Sequence, residues 1–165
     1  MFELNYRIVH SEYDDFVGQH GFFQIKCNDY TYGEIYPKDI EEVMDKDSLY
    51  DWFERFAKVV KSLMTKDYVA LSDVESYNTW IVFQRRNEKV IISIVKANKE
   101  QGTRDIEFFL RDPEDGEWMN QTISFEQLRQ EVIEKGREYI KNILLPNKEN
   151  ILIDKMKRMF DEISR

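Results

Sequence analysis

The stretch from Leu49 to Met64 constrains this chain more than any other. Leu49, Trp52, Phe53, Phe56, Val60 and Leu63 recur at steps of three and four. That spacing puts all six on one side of an α-helix, as an apolar stripe that another apolar surface must cover. Asp47 or Ser48 can cap its start. Asp51 and Glu54 fall early and Lys58, Lys61 and Lys66 fall late, the order that complements a helix dipole. A helix with three large rings on one face needs a broad partner, and the flanking sequence predicts strands.

Phe2, Leu4, Tyr6 and Ile8 alternate with Glu3, Asn5 and Arg7, the period of a half-buried strand. Gly21 to Asn28 reads as a second strand with Phe23, Ile25 and Cys27 on one face. The two form a hairpin with a long loop through Asp14, Asp15 and Gly18. Asp29 to Lys38 is a loop or a short edge strand stopped by Pro37. Asp39 to Asp47 is strongly acidic and reads as the start of a short helix. Beyond the central helix, Tyr68 to Leu71 is a short strand. Thr79 to Arg86 and Lys89 to Ala97 flank a tight turn at Asn87-Glu88. Asp105 to Arg111 and Trp118 to Ile123 follow, separated by the turn sequence Asp-Pro-Glu-Asp-Gly, so the run reads as an antiparallel meander.

Ser124 then caps a long helix, with Gln127 placed for a capping box. Phe125, Leu128, Val132, Tyr139, Ile140, Ile143 and Leu144 mark its buried side, and Pro146 ends it. A last helix follows Asn147, anchored by Ile151, Leu152, Met156, Met159, Phe160 and Ile163. The order predicts one α+β domain over residues 1–165. Its antiparallel sheet has about five to seven strands and one face covered by helices, including two C-terminal helices. With 42% hydrophobic and 34% charged residues over 165 positions, such a chain builds its own core.

Cys27 is the single cysteine, so no disulfide framework exists within the chain. The first residues lack a basic region followed by an apolar run, and no stretch approaches the roughly 18 apolar residues of a membrane span. The expected compartment is the cytoplasm.

Little in the chain points to catalysis or to a metal. On an extended strand His10, Glu12 and Asp14 would share a face and offer ligands, but no second cluster completes a shell. Cys27 reads as a buried strand residue, with no helix N-terminus or partner that would activate it. Gly18 and Gly21 match neither nucleotide fingerprint, so no cofactor is expected. Two carboxylate groups stand out: Asp39, Glu41, Glu42, Asp45 and Asp47, then Asp112, Glu114, Asp115 and Glu117. Acid–base work would need them paired in a cleft, whereas both runs fall in predicted loops. The expectation is a protein that is not an enzyme, with a carboxylate-based hydrolase as a lesser alternative.

Charge points instead to a protein partner. The net charge is −8. From Lys135 onward eight basic residues face five acidic ones, leaving −11 on residues 1–134. Such a field repels phosphate backbones, which argues against nucleic acid, and attracts a basic protein. Tyrosine offers rigid contact area with a polar tip, and Tyr30, Tyr32 and Tyr36 directly precede the first acidic run. The candidate binding residues are Tyr30, Tyr32, Tyr36, Asp39, Glu41, Glu42, Asp45, Glu114 and Asp115. The bland alternatives are edge-strand packing for the tyrosines and a solvated surface for the carboxylates. The basic segment Lys155-Met-Lys-Arg158 reads as the solvated side of an amphipathic helix rather than a membrane contact.

The early Phe-Phe-Gln-Ile strand, Tyr32-Gly-Glu-Ile-Tyr36, Leu49-Tyr-Asp-Trp-Phe53 and Glu75-Ser-Tyr-Asn-Thr-Trp80 together resemble small bacterial immunity proteins of polymorphic or contact-dependent toxin systems. The resemblance covers about residues 20–97 in size, acidity and layout, and carries over no functional residue. It implies binding and neutralisation of a cognate toxin without catalysis. The alternative is a housekeeping or prophage-type interaction domain, or a homodimer formed through an unpaired sheet edge or the terminal helix.

Overall fold

The computed structural model describes residues 1–73 and 75–165. Its elements make two compact units, Met1–Ala57 with Gln130–Arg165, and Lys58–Arg129. The class is α+β, with antiparallel sheets and two C-terminal helices, and the strands divide between a four-stranded and a six-stranded sheet.

In the first unit β1 (Phe2–Ile8) pairs with β2 (His20–Cys27), which also pairs with β3 (Tyr30–Tyr32) and with β4 (Asp47–Ser48). The β1–β2 register sets Phe2, Leu4 and Tyr6 opposite Cys27, Ile25 and Phe23, so the two alternating patterns make one apolar face. Onto it fall the rings of α1 (Leu49–Leu63). Trp52 stacks on Phe23 with centroids 5.1 Å apart, and Phe53 meets Tyr6 edge-on at 5.3 Å. The Ser48 hydroxyl accepts from the Asp51 N–H and caps that helix.

α2 (Phe125–Leu144) adds Tyr139, stacked 4.8 Å from Phe53, with its hydroxyl donating to the Gly18 carbonyl. Glu131 accepts from the Leu4 N–H at 2.8 Å, so a side chain of α2 serves a donor on the outer edge of β1. A 3-10 turn at Leu145–Asn147 carries Pro146 and leads to α3 (Ile151–Ser164). The last helix buries Ile153, Met156, Phe160 and Ile163. Ile151 and Leu152, read from sequence as anchors, are exposed instead. Asn150 caps the helix by accepting from the Leu152 N–H, and this turns Ile153 inward. Gly136 lets α2 approach α3 closely, since a Cβ there would lie 2.1 Å from the Phe160 ring.

In the second unit the strand order is β10-β7-β6-β5-β8, from β5 (Tyr68–Ser72), β6 (Thr79–Arg86), β7 (Lys89–Lys96), β8 (Ile106–Glu107) and β10 (Gln121–Ser124). β9 (Glu114–Asp115) also pairs with β7. The hairpin turn falls at Asn87, whose φ of 57° is the left-handed conformation that asparagine tolerates. β6 and β7 are buried on both faces, which explains their nearly continuous apolar runs. Trp80, Val82 and Val95 cluster with Ala70, Ala97 and Leu110 on one side.

Two predicted strands are shorter than their sequences suggest. Asp105 to Arg111 contributes only two paired residues, and these join β5 rather than continuing the meander beyond β7. Trp118 to Ile123 becomes Gln121–Ser124. Ser124 caps α2 through the Gln127 N–H, as its sequence suggested. Among the described residues no helix is long and apolar enough to cross a membrane.

Candidate functional site

Seven of the nine candidate residues lie on one continuous segment of the first unit, residues 30–46. Asn28, at φ 54°, turns the chain from β2 into β3. There Tyr30 lies opposite Cys27 and Tyr32 opposite Ile25. Gly33 follows at φ 80°, where a Cβ would stand 2.4 Å from the Phe23 carbonyl oxygen, so only glycine fits this crossing.

The chain then folds over the outer face of the sheet. Phe22 points to that face because its neighbour Phe23 points inward. The Tyr36 ring meets Phe22 edge-on with centroids 5.3 Å apart. The Arg7 guanidinium lies 5.3 Å from the Phe22 ring centroid. One Arg7 nitrogen donates to the Tyr36 carbonyl and, at 3.1 Å, to the Glu41 carboxylate. Residues 38–44 form turns, with Ile40 N–H donating to Pro37 and Val43 N–H donating to Ile40. The predicted short helix at 39–47 is absent. Lys46 closes the segment by donating to the Met44 carbonyl.

This scaffold separates the candidates. Tyr36 and Glu41 are committed to anchoring the segment. Tyr32 is half-buried, while Tyr30 is 44% exposed. Asp39, Glu42 and Asp45 are exposed. Between them stand two aliphatic side chains that the sequence reading passed over, Ile40 at 39% and Val43 at 81% exposure. Their signal was present as two apolar residues three apart inside an acidic run, and a helix would have turned them onto one buried face.

Glu114 and Asp115 belong to the second unit. They form β9, pair with Lys96 and Val95 of β7, and are exposed. Glu114 borders a cleft of about 290 Å³ that Lys96, Asn98, Glu100 and Arg111 also line. Cations and carboxylates are mixed there, unlike the uniformly acidic tip of the 39–45 turns.

The sequence's other candidates, His10, Glu12, Asp14 and Cys27, lie elsewhere in the first unit. β1 ends at Ile8, so His10, Glu12 and Asp14 do not share a strand face. Asp14 instead turns back and receives the Ser11 N–H at 3.0 Å, with His20 Nδ1 2.5 Å and His10 Nδ1 3.5 Å from its carboxylate. Among the described residues no group of three or more His, Cys, Asp or Glu is placed to hold a metal ion. Cys27 is buried, and burial pushes its thiol up to about 11, away from thiolate chemistry. Comparison with protein-family models, with curated proteins and with solved structures returned no match.

Proposed function

We propose that this chain is a non-catalytic protein-binding module that captures a basic partner, and that the partner is a toxin it neutralises, as the resemblance to immunity proteins implies. One observation carries the reading: an anchored turn segment holds Val43 and Ile40 outward among the carboxylates of Asp39, Glu42 and Asp45.

Exposed aliphatic side chains on a mobile loop would cost ordering entropy on binding. Here Arg7, Phe22, Tyr36, Glu41 and Lys46 hold the segment beforehand, so less is lost. The carboxylates would steer a cationic surface into contact, and burial of Val43 and Tyr30 would slow its release. A toxin that acts on nucleic acid needs a positive surface for phosphates, and an acidic blocker competes for that same surface.

The test is capture of the product of the neighbouring gene by wild type and by the triple variant Asp39→Lys/Glu42→Lys/Asp45→Lys. The triple variant should associate roughly tenfold or more slowly, with a flatter salt dependence. Val43→Asp should act chiefly on dissociation. Capture indifferent to the charge reversals would refute the docking surface. Co-expression that fails to protect cells from the neighbouring product would refute the toxin, leaving an interaction module.

A further inference from the structure

From Asp39 to Met44 exposure repeats at every third residue. Glu41 and Met44 are half-buried, whereas Asp39 and Ile40, then Glu42 and Val43, are exposed. Two hydrogen bonds across three residues set that period. The Ile40 N–H donates to the Pro37 carbonyl, and the Val43 N–H donates to the Ile40 carbonyl. Backbone bonded in this way advances by about 2.0 Å per residue, so a side chain returns to the same side after about 6 Å. An acidic side chain next to an aliphatic one therefore stands at Asp39-Ile40 and again at Glu42-Val43. The inward side of the turns serves the scaffold, with Glu41 held by Arg7. Lys46 ends the repeat by reaching back to the Met44 carbonyl. Among the described residues neither Asp39 nor Glu42 is ion-paired.

Two such pairs about 6 Å apart match a partner that sets a cation beside an apolar group, twice, at the same interval. An α-helix does this. Residues four apart lie about 6 Å along its axis, and residue i+3 stands beside residue i on one face. Lysine or arginine at i and i+4 then meets Asp39 and Glu42, while aliphatic side chains at i+3 and i+7 meet Ile40 and Val43. A strand carries a single line of side chains on each face, about 6.6–6.8 Å apart. A cation and an apolar group on that face follow one another along the line and cannot stand side by side.

We propose that the 39–43 turns seat a basic amphipathic α-helix of the partner, with cations at i and i+4 and aliphatic side chains at i+3 and i+7. The inference rests on the capture of a basic partner proposed above and names the form in which that partner docks.

The probe is a labelled alanine-based peptide of about 15 residues, long enough to become helical on binding. It carries lysines at i and i+4 and leucines at i+3 and i+7. One control of the same composition spreads these residues around the helix, and a second replaces a central alanine by proline. In fluorescence anisotropy the wild type should bind the patterned peptide about tenfold or more tightly than either control, and circular dichroism should show the peptide gaining helix. Val43→Asp should remove most of that preference, and Glu42→Lys should weaken the patterned peptide about tenfold. Equal binding of the three peptides, no gain of helix, or a preference that survives Val43→Asp would overturn the helix. So would a patterned peptide that fails to bind at about 1 mM, the weak end of specific association. Failure of the helix is distinct from failure of the acidic docking surface. If reversal of Asp39, Glu42 and Asp45 slows capture of the neighbouring gene's product while the three peptides bind alike, the surface stands and the helix falls. Capture indifferent to that reversal removes both.

Discussion

Replacing Gly136 by alanine tests how α2 meets α3 in the first unit. In an open helix the change stabilises by about 1 kcal/mol, because glycine pays the larger backbone entropy. Here the added Cβ would stand 2.1 Å from two carbons of the Phe160 ring. Carbon atoms separate to about 3.5 Å, so the ring must withdraw by about 1.4 Å. Phe160 is almost fully buried, so its ring withdraws only by displacing packed neighbours. Overpacking of this kind costs about 1–3 kcal/mol, and a displacement of about 1.4 Å in a packed core falls above the low end of that range, so it outweighs the helical gain. Gly136→Ala should therefore destabilise by about 1 kcal/mol or more in urea unfolding. In a Phe160→Ala background no ring atom remains to meet the added methyl and the helical gain remains, so the same substitution should stabilise by about 1 kcal/mol. The change of sign amounts to a coupling of about 2 kcal/mol between the two positions. If Gly136→Ala stabilises the wild-type chain as it would an open helix, the close approach is wrong.

Phe56→Ala should cost about 3–5 kcal/mol, since the ring is fully buried among Phe2, Phe23 and Trp52; an unchanged thermal melt would exclude that packing. Burial holds the Glu131 carboxyl above its ordinary range, so ionised Glu131 weakens the fold above that range and the cost fades as pH falls through it. Glu131→Gln keeps an acceptor for the Leu4 N–H and should at least match wild type at neutral pH. Its margin should shrink on acidification, and urea melts showing a growing margin would contradict the sign. Cys27 should resist thiol reagents at neutral pH until the chain unfolds, because its thiol is buried and its pKa is pushed up to about 11; rapid native-state labelling would place it at the surface. Burial also raises the Tyr139 and Tyr6 hydroxyls, so an alkaline absorbance titration should show these two ionising only with unfolding.

What the sequence determined by itself was local. The three-and-four spacing of Leu49, Trp52, Phe53 and Phe56, the Ser48 and Ser124 caps, the Asn87 turn and the stop at Pro146 all depend on a few neighbouring residues. The backbone period or a single side-chain hydrogen bond sets each of them. The acidic 39–45 run was legible as charge for the same reason, since charge is visible without a fold, whereas of its three tyrosines only Tyr30 is exposed.

Only the tertiary structure decided which strands meet. Alternation shows that Asp105 to Arg111 can extend, but the edge left open by β5 determined that just two residues pair there and that Phe108 and Phe109 face outward. Likewise three consecutive apolar residues, Ile151 to Ile153, leave the phase of a first helical turn open until Asn150 caps it and Ile153 turns inward. The division into two sheets, and the Arg7 contact that separates the anchoring Glu41 from the outward Glu42 and Val43, join residues far apart in the chain. Periodicity reports which side of a strand or helix is apolar; it holds no record of the distant residue that will cover it.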